Sequence, residues 1–212
     1  MPNTYFRFKQ FTIQQDKTAM KVGTDGVLLG AWTWVPENGK ILDVGTGSGL
    51  LALMLAQRSK NVRIDAVEID AASFLQAKEN VENSLWKDRI NLYHRSIQEF
   101  STEKKQEYDL IVTNPPYMFL SNKGRYCEDG GELYGMQIAV DIYNFCKEKN
   151  VELVMILASP VRNGYSLFDD YALGNHQKIV IEDSPLVKDV SSHNLLLDNG
   201  FSSRELAIIH KF

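Results

Sequence analysis

The chain has 212 residues, 44% apolar and 24% charged, with a formal net charge of −4. That length suits one domain with a single sizeable core, and the balance excludes a disordered or fibrous chain. Two cysteines, Cys127 and Cys146, make a poor disulfide framework and read as reduced thiols.

In chain order, the amino terminus shows no apolar run of the signal-peptide kind. No stretch approaches the ~18 uncharged apolar residues of a membrane span, so a cytoplasmic protein is expected. Before Gly23 stand Arg7, Lys9, Lys17 and Lys21 against Asp16 alone. This surplus reads equally as a solvated terminus or as a patch facing nucleic acid, although the acidic total argues against a strong non-specific grip on phosphate.

Short apolar strands then alternate with helical patterns, the signature of a mostly parallel sheet with crossover helices. Lys40 to Val44 reads as a strand, and Gly49 to Arg58 as a helix. Between them lies Asp43-Val44-Gly45-Thr46-Gly47-Ser48-Gly49. Glycine serves where the backbone turns with positive φ or where a ligand approaches main-chain atoms. Such strand-to-helix turns occur in nicotinamide, flavin and methyl-donor enzymes. The spacing here is G-x-G-x-G, unlike the dinucleotide fingerprint. A carboxylate at Asp43 suits a ligand ammonium and opposes a pyrophosphate.

Val62 to Glu68 is the next strand, and Ala71 to Asn83 a helix with Phe74, Ala77 and Val81 on one face. Glu68 stands where an acid accepts both hydrogen bonds of a ribose diol. Asp70 reads as the cap of the following helix. Strands follow at Ile90 to His94 and Tyr108 to Thr113, with His94-Arg95-Ser96 after the first of them. The second strand runs into Asn114-Pro115-Pro116-Tyr117. Two prolines fix φ and remove two donors, leaving carbonyls with nothing internal to bond. The Asn114 side-chain carbonyl and the Pro115 backbone carbonyl are placed to accept both hydrogens of a planar NH2 group. Tyr117 offers a flat face for a base or an amide. A helix near Leu133 to Lys149 is followed by strands at Val151 to Ala158, Lys178 to Glu182 and Leu206 to Lys211. His94, His176, His193 and His210 lack metal-ligand spacing, so no metal is expected.

Asn114-Pro115-Pro116-Tyr117 resembles the catalytic motif of class I amino methyltransferases, which act on adenine N6, guanine N2 or glutamine N5. Asp43, Gly45, Gly47, Gly49 and Glu68 match the cofactor half of that family. Phe8-Lys9-Gln10-Phe11-Thr12-Ile13 and Met20 through Trp32 resemble the opening of the bacterial tRNA(Val) adenine-N6 methyltransferases, and the likeness runs from Tyr5 through Tyr117. The resemblance implies S-adenosylmethionine as cofactor and a tRNA substrate. One domain, 1–212, is expected, in which 1–35 covers the cofactor and 36–212 forms the core; a monomer is the simplest expectation, and the sequence leaves the oligomeric state open. That core would be an α/β, Rossmann-like, doubly wound sheet of seven mostly parallel strands.

The resemblance further places Lys21, Thr24 and Asp25 near the methyl donor, while Thr24-Asp25-Gly26 also reads as an ordinary helix N-cap. Ser96 stands where many methyltransferases carry an Asp for the cofactor's adenine, so its hydroxyl or a backbone group takes that part. After Tyr117 the family's long basic loop is replaced by a stretch with only Lys123 and Arg125 as cations. That stretch ends in Asp129-Gly130-Gly131, more like glutamine-N5 members. A protein glutamine methyltransferase is therefore the alternative.

Overall fold

The computed structural model describes residues 3–103 and 107–115, residues 142 and 145, and the strand backbones at 152–157, 177–180 and 205–209. The chain divides into two compact units, 1–114 and 115–212.

The first unit opens with a hairpin of β1 (Tyr5–Arg7) and β2 (Thr12–Gln14), followed by α1 (Thr24–Trp32). Then come β3 (Asn38–Val44), α2 (Leu50–Arg58), β4 (Asn61–Glu68) and α3 (Ala71–Glu82). β5 (Ile90–His94), α4 (Ile97–Glu103) and β6 (Leu110–Thr113) complete it. β3 lies between β4 and β6, and β4 between β3 and β5, all in parallel. The chain thus winds outward from β3 through β4 to β5 and then returns to β3's other side at β6. That reversal makes a topological switch point at the carboxyl ends of β3 and β6, the place where open α/β sheets bind ligands.

Burial explains these strands. Ile41, Leu42 and Val44 of β3 and Leu110, Ile111 and Val112 of β6 are all buried, as expected of parallel strands covered on both faces. α2 buries Leu50, Leu51, Ala52, Leu53, Leu55 and Ala56, so it is apolar on nearly every side. α1 packs against it through two small residues one turn apart. A Cβ on Gly26 would meet Leu50 at 3.0 Å, and one on Gly30 would meet Met54 at 2.6 Å. The Arg58 guanidinium donates to the carbonyls of Gly30 (2.8 Å) and Thr33 (2.6 Å), tying the end of α2 to the end of α1.

In the second unit, β7 (Glu152–Leu157) and β8 (Gln177–Val180) each pair antiparallel with β9 (Glu205–Ile209). Of the helix expected at Leu133 to Lys149, Ile142 and Phe145 are described, both helical, and Ile142 is buried. Among the described residues, no helix is long and apolar enough to cross a membrane.

Candidate functional site

The turn after β3 is stitched to the end of β4. The Gly45 and Thr46 amides both donate to the Val67 carbonyl, at 2.9 and 3.1 Å. The Gly47 amide donates to Glu68 Oε2 at 2.8 Å. Gly45 and Gly47 have φ of 70° and 58°, and a Cβ on either would meet nothing within 4 Å. Positive φ selects glycine here, and the open space above both leaves the backbone free for a ligand. Gly49, the left-handed N-cap of α2, differs: its missing Cβ lies 3.6 Å from Ala77, so it serves the packing of α3.

Asp43 is wholly buried. Its Oδ2 accepts from the Thr46 hydroxyl (2.6 Å) and the Ala52 amide (3.1 Å), which joins β3 to the first turn of α2. Its Oδ1 is buried and has no hydrogen-bond partner. Burial pushes the carboxyl up to about 7; the bonds from Thr46 and Ala52 oppose that rise, and Glu68 adds to it. Glu68 is also nearly buried, yet both its oxygens are engaged, Oε2 by Gly47 and Oε1 by the Asp70 amide at 2.9 Å. Each carboxylate oxygen keeps a further lone pair, so a diol can still bind it.

Thr113 is in register with Val44 and donates its hydroxyl to the Val44 carbonyl at 2.8 Å. Asn114 therefore leaves β6 beside the point where the glycine turn leaves β3. Its Oδ1 is buried without a partner. Its Nδ2 lies 3.8 Å from where a Gly26 Cβ would stand, so α1 flanks it closely. Asp43 Oδ1 and Asn114 Oδ1 are the only buried side-chain polar atoms among the described residues with no partner. An unpaired buried acceptor costs about 1–3 kcal/mol, which a bound donor recovers. Pro115, the next residue, is buried. Tyr117 lies outside the described residues.

The other candidates fall elsewhere. Asp70 caps α3 by accepting from the Ser73 amide at 2.7 Å, which holds its carboxyl below the ordinary range. Ser96 follows Arg95, whose amide donates to the Glu68 carbonyl, so it lies at the same end of the sheet. Its hydroxyl, however, donates to Glu99 Oε2 (3.0 Å) and accepts from the Glu99 amide (3.2 Å), a capping box for α4. Lys21 directs its ammonium to the carbonyls of Gln15 (3.0 Å) and Asn3 (3.3 Å). Thr24 is exposed at the first position of α1, and the N-cap is Gly23, with no side-chain bond. The cap expected in Thr24-Asp25-Gly26 is thus displaced, because the helix already starts at Thr24.

One further side chain went unread. Asn80, on α3, is buried; its Oδ1 accepts from the Gln14 amide, and its Nδ2 donates to the Gln14 carbonyl, both at 2.8 Å, and to the Ser48 carbonyl at 2.9 Å. It pins the hairpin to the glycine turn. Gln76 helps by accepting from the Lys17 amide at 2.9 Å. The available signal was polar residues at 73, 76 and 80 in the register of the buried face.

Residues 23–125 match the family model described as methyltransferase small domain. The chain is 62% identical over 113 residues to a tRNA1(Val) (adenine(37)-N6)-methyltransferase of Flavobacterium psychrophilum, a match covering 53% of this chain and 48% of that protein. It is 58% identical over 125 residues to one of the same name from Trichodesmium erythraeum, covering 58% of this chain and 52% of the relative. The chain thus matches about half the length of these curated relatives. Among solved structures, the N-terminal domain of human METTL16 in complex with SAH superposes with a TM-score of 0.59 at 15% identity. That superposition covers 92% of this chain and 74% of the other, and it shows a shared α/β methyltransferase fold. The resemblance of the amino-terminal half is borne out, since residues 23–125 match the methyltransferase small domain model and the curated relatives match the same half.

Proposed function

We propose that the chain is an S-adenosylmethionine-dependent N-methyltransferase acting on an exocyclic amino group, adenine N6 of a tRNA. The observation that carries this reading is the buried, unpartnered Oδ1 of Asn114 at the β3–β6 switch point. An acceptor held there without a donor fits one hydrogen of a planar NH2 group, and the Pro115 carbonyl takes the other. Holding both hydrogens out of the amino plane frees the nitrogen lone pair for attack. Tyr117 stacks on the base.

The residues around the glycine turn fit the cofactor. Asp43 Oδ1 accepts from its ammonium, Glu68 from its ribose, and the open faces of Gly45 and Gly47 let it approach the main chain. When bound, S-adenosylmethionine supplies an electrophilic methyl group, so the protein's work is positioning. Adenine recognition passes to a backbone group near Ser96, since the hydroxyl is spent on Glu99. Lys21 and Thr24 act through the segment 1–35, within which Lys21 holds the Gln15 and Asn3 carbonyls. A single cytoplasmic domain without metal belongs to the same reading. So does a doubly wound sheet of seven strands.

The curated relatives' names point to tRNA and to adenine N6. The test is transfer of labelled methyl from S-adenosylmethionine to extract from cells lacking the gene, followed by ribonuclease or protease. Label lost to ribonuclease is expected. Label that survives ribonuclease and falls to protease overturns the RNA reading in favour of a protein glutamine.

A further inference from the structure

The β1–β2 hairpin has two unlike faces. On one, Phe6 is in register with the fully buried Ile13 and begins a chain of rings. Phe6 and Phe8 lie 4.9 Å apart, Phe8 stacks on Phe11 at 4.6 Å, and Phe11 meets Trp86 edge-on at 5.6 Å. Phe11 carries this face onto Trp86 in the body of the unit, while Phe6 at the far end of the row is 41% exposed. Alternation along the strand places Tyr5 and Arg7 on the other face. Lys9 stands in the turn that the Phe8 amide closes onto the Phe11 carbonyl at 2.9 Å. Tyr5 is 49% exposed, and Arg7 and Lys9 are exposed. Among the described residues, no carboxylate pairs with either cation. Residues 3–15 hold no acid at all, in a chain whose net charge is −4.

The hairpin is also rigidly mounted. Asn80 holds the amide and the carbonyl of Gln14. The Gln15 side chain donates to the Asn3 carbonyl (3.0 Å) and accepts from the Val22 amide (2.8 Å). Shortly after Val22, Gly26 lies beside Asn114. The outer face is therefore braced to the segment that flanks the reacting end, and a pre-ordered surface loses little entropy on binding.

We propose that this outer face, Tyr5 with Arg7 and Lys9, docks a single-stranded stretch of the substrate RNA. Tyr5 stacks on a base, while Arg7 and Lys9 meet the phosphates on either side. An exposed ring flanked by unpaired cations is the pattern of sequence-tolerant single-strand binding. The inference rests on the RNA reading above and adds where that RNA is held.

The test uses the full chain and an unmodified tRNA1(Val) transcript. Tyr5→Ala is expected to raise KM for the transcript about tenfold, with Tyr5→Phe restoring it to within about twofold. The double variant Arg7→Glu, Lys9→Glu should flatten the log-affinity against log-salt slope by about 1.4, the loss of two phosphate contacts on a single strand. Cofactor affinity and the melting midpoint should stay at the wild-type values in all three. A transcript methylated by every variant with unchanged KM and slope overturns the docking face and leaves the RNA reading standing. Failure of the wild-type protein to methylate RNA, with methylation of protein instead, overturns both.

Discussion

The two neighbouring ends of the parallel sheet are built from similar residues and treated differently. At the ends of β4 and β5, each of the polar side chains considered for a role is engaged. Glu68 accepts from Gly47 and Asp70, Asp70 from Ser73, and Ser96 exchanges bonds with Glu99. At the ends of β3 and β6, Asp43 and Asn114 each keep one buried oxygen without a partner. On the function proposed above, those two bare acceptors take their donors from cofactor and substrate. On that reading Asp43 and Asn114 keep an oxygen for a ligand, Asp70 and Ser96 serve the scaffold, and Glu68 does both.

Substitutions test that division, and the largest effect belongs to Asn114. Asn114→Ala should lower turnover at least about a hundredfold, the scale of losing one preorganised polar group at a reacting centre. Cofactor affinity should stay within a few-fold, measured by single-turnover methyl transfer beside calorimetric titration.

Asp43 comes next, through pH. Its carboxyl is raised from an ordinary value of 3.8 to about 7 when the protein is free, and a cationic ligand binds the ionised form. Cofactor affinity should therefore rise as pH passes upward through about 7, by up to about tenfold per unit below that point. The free protein should move the opposite way. Between the two values the folded state keeps a proton that the unfolded state has lost. Stability therefore falls as pH rises from the ordinary carboxylate range to about 7 and levels off above. Asp43→Asn should flatten both profiles; dependences that persist in that variant would assign them to another group.

Glu68→Gln should weaken cofactor binding about tenfold, because an amide cannot accept from Gly47, Asp70 and a diol together. Asp70→Ala should leave binding unchanged and lower only the melting midpoint. The smallest effect is expected at Ser96. Ser96→Ala removes a capping box worth about 1 kcal/mol and should leave KM for the cofactor unaltered. A rise in that KM without loss of stability would return Ser96 to the ligand side of the comparison.

Much of this was legible in the sequence. Parallel strands buried on both faces appear as short apolar runs, and the register of β3 differs from the expected strand only by starting at Asn38 instead of Lys40. The glycine turn was readable because positive φ at Gly45 and Gly47 selects glycine. The double duty of Asp43 was not, since it depends on where the first turn of α2 lies. Asn80 and Gln76 escaped because polar residues on a helix look solvated until the hairpin is seen to lie on them. The hairpin itself has strands of three residues, too short for alternation to show. Ser96-x-x-Glu99 is a capping-box pattern present in the sequence, but a serine after a strand end fits a ligand contact equally well until the start of α4 is known. Tyr117 and the loop after it lie outside the described residues, so the substrate half of the site rests on Asn114 and on resemblance.

The most direct test of the central claim is nucleoside analysis of a tRNA1(Val) transcript after incubation with S-adenosylmethionine and either wild-type protein or Asn114→Ala. N6-methyladenosine formed by the wild type and absent with the variant, while the variant still binds cofactor, is the result expected. Formation of N6-methyladenosine at the wild-type rate by Asn114→Ala, or its absence with the wild type, would contradict it.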